Sequence, residues 1–557
     1  MVADIEHESS HISDRDNSVQ YGSLAGSALV INLLALTTLI LSYIFVSEPQ
    51  TAGLRESSTA WRRMGFLPAI LVGIGIGSAS FLAFCREIET RYVLALSTTW
   101  SVMIGMAHQI GLGTPIGSDG WFFVELSLRF QEFGFENVIN GYLQRPLSLL
   151  LVLIVGTVPF LTYPLAASIL GLVIALCTTY LTLNHILTQE QTSRYILPLI
   201  GAFWAILVTT IGDLFDYEAH ALGVLILFWF WFRFSPSQHF VLGVVIICVL
   251  CMTHFFIPLI LILSWFIQWL KEGDHHWRNI ALVGTVIWSL WGFTIAYDST
   301  AGVLFRPLNN APSNLMISLM IISLILFILY IDRRISISKE EAVTSVSISS
   351  TAILASCSII TPFFLYQDLS LDSTGLSFTK RLLLYVFPSF VILILHRFSH
   401  GIGHLIGLSS GGLTSPLMAI LILMVSISSG ITHHRWVGRD NHFHPQTVDC
   451  WGLLEEQGME VSQRSTIRYL VIHSPQLVPP EPTYLAYFYF SPDNLSGNQP
   501  QEVAVVLETP DINHRLNRSG FADQVDYHNW LMIDEIDSIC RLWVHPEYFD
   551  RKSNQSD

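Results

Sequence analysis

Charged residues are scarce in this sequence. Aspartate, glutamate, lysine and arginine together make up 13% of its 557 residues, while hydrophobic residues make up 51%. Soluble domains carry about 25% charged residues, and the mean hydropathy of this chain is +0.51. A composition this poor in charge excludes a soluble multidomain enzyme, a disordered protein and a fibrous protein. It indicates a polytopic membrane protein.

Basic residues and cysteines are also few. The 28 lysines and arginines face 43 acidic residues, which gives a net charge of −15. Because such a surface repels phosphates, we expect no nucleic-acid partner. The seven cysteines show no metal-binding spacing. Cys248 and Cys251 lie one helical turn apart in an apolar run, and we interpret them as packing residues.

Long apolar runs mark a membrane region between two acidic ends. A helix needs about 20 apolar residues to cross a bilayer. The sequence predicts about 13 spans, at 22–46, 64–85, 92–113, 164–186, 195–212, 217–233, 239–254, 255–270, 279–297, 314–331, 342–365, 382–396 and 413–431. We therefore expect an all-α polytopic membrane domain over 22–432, preceded by an acidic cytoplasmic tail at 1–21.

The apolar run 146–161 needs a separate decision, because it has only about 16 residues and is bracketed by prolines. We predict that it lies in the membrane interface. The acidic loops at 114–145 and 213–218 then face the same side, outside the cell. Most basic loops face the cytoplasm, as the positive-inside rule requires, although Arg55, Arg62 and Arg63 do not. The N-terminus is then cytoplasmic in a multi-pass protein of the cell membrane.

The segment 433–557 differs from the membrane region. Runs rich in β-branched and aromatic residues occur at 466–474, 483–491, 502–509 and 538–546, with Pro, Gly and Asn between them. This pattern predicts a small extracytoplasmic domain that is β-rich or α/β. Cys450 and Cys540 are its only cysteines, and they form either a disulfide or two buried thiols.

The loop after the third predicted span is the first candidate site. Asp119 follows a glycine-containing exit from the membrane, and an amphipathic helix beginning with Trp121 and Phe122 comes next. Asp119 either caps this helix or acts as a catalytic carboxylate. We place a catalytic loop over 114–163.

The second candidate site is a cluster of acids at the end of a membrane helix. Asp213, Asp216 and His220 have the spacing i, i+3 and i+7, so they share one helical face, and Glu218 lies between them. Acids at a helix N-terminus are stabilised by its dipole, which is the structural explanation. Clustered carboxylates also suit a general base or a divalent cation such as Mg²⁺ or Mn²⁺.

Histidines give weaker signals. His254, near an outer turn, either lines a cavity or is an ordinary loop histidine. Four histidines, His433, His434, His442 and His444, follow the last span within twelve residues. They could bind Zn²⁺, but we interpret them as a polar juxtamembrane linker.

The block from Asp119 to about residue 233 resembles the GT-C membrane glycosyltransferases, especially the protein mannosyltransferase and aminoarabinose transferase branch. An acidic residue after an early span, Arg145-Pro146 opening a juxtamembrane helix, and a second acidic residue, Asp216, follow the order of that family. The segment Lys380-Arg381-Leu-Leu-Leu-Tyr-Val-Phe-Pro is similar to a later family segment. Two extra spans before the first acid depart from the family pattern.

The resemblance implies transfer of a sugar from a polyprenyl-phosphate (dolichyl-phosphate) donor to a lipid-linked glycan or a protein at the outer membrane face. Asp119 would accept the proton of the acceptor hydroxyl. Asp216, with Asp213, Glu218 and His220, would support the acceptor or a metal. The donor phosphate would bind to Arg145, Lys380 and Arg381, whose alternative role is snorkelling at span ends.

Two other classes of function remain open. A lipid-linked glycan flippase or transporter would carry ionisable or broken helices at the bilayer midplane, whereas this sequence places its polar residues at one membrane edge. A membrane scaffold with an outer binding domain would leave the acid cluster at 213–220 without a role. Within the enzyme class, a glycan polymerase or ligase is the alternative, although the large outer loop with Arg and His that it would use is not evident.

Overall fold

The structure, a computed structural model, describes part of the chain. In the helical region it describes residues 3–46, 64–85, 88–112, 120, 123–124, 127, 130, 145–189, 191–211, 214–215, 217–233, 239–254, 256–295, 349–370, 377–397 and 416–437. Beyond these it describes five β-strands, all after residue 469.

The described part of the membrane region consists of helices joined by short turns. Its α-helices are α1 (Ala3–Val46), α2 (Leu67–Phe84), α3 (Thr90–Leu112), α4 (Pro146–Gly156), α5 (Tyr163–Gln189), α6 (Leu197–Ile211), α7 (Ala219–Arg233), α8 (Phe240–Cys251), α9 (Ile257–Glu272), α10 (His275–Thr294), α11 (Ser350–Ser370), α12 (Ser377–Arg397) and α13 (Pro416–Val437). Residues 120, 123, 124, 127 and 130 are also helical. A 3₁₀ helix, Gln191–Ile196, joins α5 to α6.

Local sequence explains several helix ends. Proline occupies the first turn of α4 and α9, where its missing N–H costs no helical hydrogen bond. Gly273 ends α9 in the left-handed conformation, with φ of 74°. Asp274 then caps α10 by accepting a hydrogen bond from the backbone N–H of His276.

The apolar runs predicted the helices well, and the chain is an all-α membrane protein over this region. Every predicted span except 314–331, which lies outside the described residues, overlaps one of the helices. Within the described part, five helical segments are long and apolar enough to cross a membrane: Leu24–Phe45, Leu67–Phe84, Tyr163–Gln189, Ser193–Ile211 and Pro416–Trp436. The count of about 13 spans stays a prediction. Helix α1 begins at Ala3, and the acidic cytoplasmic tail over 1–21 stays a prediction.

Small and polar residues hold the first helices together. Asn32 in α1 is fully buried, and its amide donates hydrogen bonds to the Gly75 carbonyl oxygen at 2.9 Å and to Ser78 Oγ at 2.8 Å. The Asn32 carbonyl oxygen accepts a bond from Trp100 Nε1 at 3.0 Å. One side chain thereby joins α1 to α2 and α3. Such bonds replace the hydrophobic driving force that lipid cannot supply.

The two loops with acidic candidates leave the helix bundle at the same end. Gly201, near the start of α6, packs against Ser101 in the middle of α3, and Phe215, just beyond α6, packs against Gly105 further along α3. The two helices are therefore parallel. We call the end at which they finish, and at which α7 begins, the site end of the bundle.

Helix α4 has both of its ends at the site end. Its 11 residues span about 16 Å at 1.5 Å per residue, too short for a hydrocarbon core of about 30 Å. At its start, the Leu147 N–H donates to the Met252 carbonyl oxygen beyond α8, and at its end Gly156 packs against Tyr163 of α5. Helix α5 runs parallel to α7, because His185 stacks on Phe232 near the far ends of both.

The C-terminal strands form one antiparallel sheet. They are β1 (Leu470–His473), β2 (Ala486–Tyr487), β3 (Val503–Glu508), β4 (Leu531–Ile536) and β5 (Cys540–Val544), in the spatial order β2-β1-β3-β5-β4. Val506 pairs with Val471 on one side and with Trp543 on the other, so β3 is central. Each β-type run in the sequence contains a strand, and β4 was not predicted. The extracytoplasmic location of this segment stays a prediction.

Candidate functional site

The two acidic segments touch each other. The ring of Phe123, four residues after Asp119, lies edge-on to the ring of Tyr217, one residue after Asp216. Their centroids are 5.6 Å apart and their planes are inclined by 77°. Both rings are buried, as are Leu214 and Phe215. Phe123 and Tyr217, which lie near the two candidate acids in the sequence, are therefore in contact.

Tyr217 also ties the acidic segment to α4. Its hydroxyl donates a hydrogen bond to the Ser148 carbonyl oxygen at 2.5 Å. A carbonyl oxygen can only accept a hydrogen bond, so the Tyr217 hydroxyl is the donor. Ser148 lies three residues after Arg145, which stands at the N-cap of α4. The hydrogen bond therefore fixes Arg145 relative to the acidic segment.

Helix α12 contributes a tyrosine and an arginine to the same place. His220, buried in the first turn of α7, shares a hydrogen bond of 2.6 Å between its Nε2 and the hydroxyl of Tyr385. Arg381 lies one helical turn before Tyr385, on the same side of α12. Glu218, two residues before His220, is also buried.

The charges of two of the three predicted phosphate ligands act on the same pair of histidines. The charges of Arg381 and Arg145 both act on His220, and both also act on His254. The two arginines come from α12 and from the start of α4, far apart in sequence. Lys380 is exposed on α12, whereas Arg381 beside it is half-buried. Of the three predicted cations, the two arginines are therefore the ones whose charges act on His220 and His254.

His254 completes the cluster from the turn between α8 and α9. Its ring is buried and lies 5.2 Å from the His220 ring, centroid to centroid. The backbone N–H of Phe256 donates a hydrogen bond to Nδ1 of His254, so Nδ1 carries no proton and the ring is neutral. We call Arg145, His220, His254, Arg381 and Tyr385 the cationic cluster.

Of the four predicted carboxylates, only Glu218 lies within the described residues. Asp119, Asp213 and Asp216 lie outside the described residues, and Glu218 and His220 are described at the site end. Among the described residues, no group of three or more histidine, cysteine, aspartate or glutamate side chains is placed to hold a metal ion. The divalent cation therefore stays a prediction, and so does the catalytic role of the aspartates.

The interpretation of His433 and His434 as a polar linker is wrong, because both lie in the last turns of α13. His433 is fully buried, where one ring nitrogen bonds the Tyr43 hydroxyl and the other bonds the Ile104 carbonyl oxygen, each at 2.7 Å. With both nitrogens engaged, His433 joins α13 to α1 and α3. The ring of His434 stacks on Phe66. His442 and His444 lie outside the described residues.

Three members of the site were not chosen from the sequence. Tyr217 and Tyr385 were not singled out, because their partners are 69 and 165 residues away and leave no periodic signal. His254 was noted without a choice of role. The available signal was position, since Tyr217 follows Asp216, Tyr385 lies one helical turn after Arg381, and His254 ends an apolar run.

No model of a protein family matches this chain, and no curated protein matches its sequence.

Proposed function

We propose that this protein is a membrane glycosyltransferase that takes a sugar from a polyprenyl-phosphate donor and transfers it to a lipid-linked glycan or a protein. One observation carries the proposal. The charges of two arginines from distant parts of the sequence act on the histidine of a buried His–Tyr pair, at the end of the helix bundle where two acidic segments touch. Paired arginines are well suited to a phosphate, and carboxylates beside them suit proton transfer.

In the proposed reaction, a carboxylate accepts the proton of the acceptor and the two arginines stabilise the leaving phosphate. The acceptor hydroxyl oxygen attacks the anomeric carbon, and the bond from that carbon to the phosphate oxygen breaks. The hydroxyl proton passes to a carboxylate, for which Asp119 is our choice. The lipid phosphate leaves with the electron pair of the broken bond. Arg145 and Arg381 stabilise the negative charge that develops on it.

The lipid nature of the donor fits the position of the site. The cationic cluster lies at one end of apolar helices, and α4, which carries Arg145 at its start, does not leave that end. Its exposed side chains Leu150 and Ile154 are apolar, as a helix in the membrane interface requires. A phosphate on a polyprenyl chain reaches such a site from within the bilayer.

The orientation that we propose follows from the basic residues at the other end. Arg194 donates hydrogen bonds to the Cys85 and Ile88 carbonyl oxygens there, and Arg233 and Lys271 stand in the last turns of α7 and α9. The positive-inside rule places this end in the cytoplasm. The site end then faces outward in the cell membrane, and the C-terminal sheet region belongs to the same outer side.

A divalent cation is a separate part of the proposal. Glu218, with Asp213 and Asp216 next to it in the sequence, would supply the oxygen ligands that Mg²⁺ or Mn²⁺ prefers. A bound cation would add positive charge beside the leaving phosphate. Treatment of the purified protein with EDTA, followed by addition of either metal, tests whether activity depends on it.

The test is a transfer assay on the purified full-length protein in detergent. Polyprenyl-phosphate hexoses and pentoses with radiolabelled sugars are offered with an extract of lipid-linked glycans and membrane proteins. We expect label to move from the donor to the acceptor fraction. Arg145→Ala and Arg381→Ala should each slow transfer about 100-fold, the usual loss for one group that stabilises charge in the transition state.

The matched control is Arg278→Ala. Arg278 is a half-buried arginine in the first turn of α10, at the end of the bundle opposite the site, and its loss should leave transfer unchanged. Failure of the folded wild-type protein to transfer any of the sugars would contradict the proposal. Equal losses from all three substitutions would remove the assigned role of the cationic cluster.

A further inference from the structure

The turn between α8 and α9 places a neutral hydrogen-bond donor beside the two arginines. His254 is buried, its ring lies 5.2 Å from that of His220, and the charges of Arg145 and Arg381 act on it. The same turn is fixed to α4, because the Met252 carbonyl oxygen accepts a hydrogen bond from the Leu147 N–H at 3.3 Å. His254 and Arg145 therefore belong to one rigid part of the site.

The hydrogen bonding of His254 determines its tautomer. The backbone N–H of Phe256 donates to Nδ1 of His254 at 3.4 Å. A neutral imidazole carries one proton, and the nitrogen that accepts a hydrogen bond cannot also hold it. The proton of His254 is therefore on Nε2, and Nε2–H is a donor.

Such a donor suits a phosphate better than a third cation would. The site already holds two arginines, and each further buried charge has a large desolvation cost. A neutral N–H donates to an anionic oxygen without that cost, and hydrogen bonds to charged groups are among the stronger ones in proteins.

We propose that His254 is a ligand of the donor phosphate, whose Nε2–H donates a hydrogen bond to a non-bridging phosphate oxygen while Arg145 and Arg381 supply the positive charge. This assignment rests on the proposed function, because it takes a lipid phosphate as the occupant of the cationic cluster. It adds a residue from the α8–α9 turn to the site, and it makes the binding of the phosphate depend on the tautomer that Phe256 fixes.

Two amide substitutions separate this role from a structural one. Asparagine at position 254 keeps an acceptor near the place of Nδ1, for the Phe256 N–H, but has no donor that reaches the place of Nε2. Glutamine has an amide N–H that reaches the place of Nε2. We expect His254→Asn to weaken phosphate binding about 10-fold or more, and His254→Gln to keep it within about 2-fold of wild type.

Binding of farnesyl phosphate to the full-length protein in nanodiscs measures this directly, with farnesol and inorganic phosphate as comparison ligands. Thermal unfolding of each variant establishes that it is folded. Wild-type protein should bind farnesyl phosphate more tightly than either comparison ligand. Tight binding of inorganic phosphate alone would identify a free-anion site and overturn the assignment to a lipid phosphate.

The remaining outcomes distinguish this inference from the proposed function. If wild-type protein binds farnesyl phosphate and both variants bind it equally well, the role of His254 is refuted and the phosphate site stands. If His254→Gln loses as much affinity as His254→Asn, the Nε2 donor is refuted. If wild-type protein does not discriminate farnesyl phosphate from farnesol, the phosphate site itself fails.

Discussion

The contact between Phe123 and Tyr217 predicts a measurable coupling energy between the two acidic segments. The two rings are edge-to-face at 5.6 Å, and both are buried. Replacing either with alanine should destabilise the protein by about 3–5 kcal/mol, as for other core aromatic residues. Replacing both should cost less than the sum by about 0.5–1.5 kcal/mol, since an aromatic pair contributes about that much beyond the area that it buries.

Unfolding in mixed detergent micelles with increasing dodecyl sulfate gives the four free energies of this double-mutant cycle. Tyr217→Phe is a fifth variant, which retains the ring and loses only the hydrogen bond to the Ser148 carbonyl oxygen. It should cost about 1 kcal/mol. Tyr217→Ala combined with Trp277→Ala is the control cycle, because Trp277 lies in the first turn of α10, at the opposite end of the bundle.

The reasoning would be refuted by a coupling energy of zero for Phe123 and Tyr217. The segments that carry Asp119 and Asp216 would then not be in contact, and a single site could not be built from both. A coupling of similar size in the control cycle would show that the energies report general loosening of the bundle rather than a contact.

Three further predictions concern helix packing and the cations. In detergent unfolding, Asn32→Ala should destabilise the protein by about 2 kcal/mol, because three hydrogen bonds at about 0.6 kcal/mol each are lost. The control Ser42→Ala, which loses one exposed hydrogen bond within α1, should be neutral. Gly430→Ala should cost about 1–3 kcal/mol in the same assay, because the added Cβ would clash with the Ala69 carbonyl oxygen of α2; a neutral result would contradict the α2–α13 contact. Arg381→Ala should slow sugar transfer far more than Lys380→Ala, and equal losses would contradict the separation of the two cations.

The helical fold could be predicted from the sequence because it depends on a local property. The run that predicts a span at 164–186 corresponds to Tyr163–Gln189, and the run 146–161, predicted to be too short to cross the membrane, contains the 11-residue helix Pro146–Gly156. Local signals failed where polar residues begin a helix. Helix α12 starts at Ser377, ahead of the predicted span at 382–396, so Arg381 lies inside the helix rather than in a loop.

The candidate site was less predictable, because it is assembled from pairs of residues that are distant in sequence. Arg145 and Arg381 were recognisable as cations at the edges of apolar runs, and the structure brings both to His220. The distinction between Arg381 and Lys380 needed the helix, since adjacent residues point about 100° apart around its axis. The bond between His220 and Tyr385 depends on how neighbouring helices place α7 and α12, since α7 packs against α5 and α12 packs against α5 and α6, and no spacing within either helix indicates this.

The most direct test of a lipid-phosphate site is the position of the phosphate in a structure determined by electron cryomicroscopy with a polyprenyl-phosphate sugar bound. The account predicts phosphate oxygens about 2.7–2.9 Å from guanidinium nitrogens of both Arg145 and Arg381, with the sugar directed toward the segment that carries Asp119. A phosphate bound at the opposite end of the bundle, or held without either arginine, would contradict it.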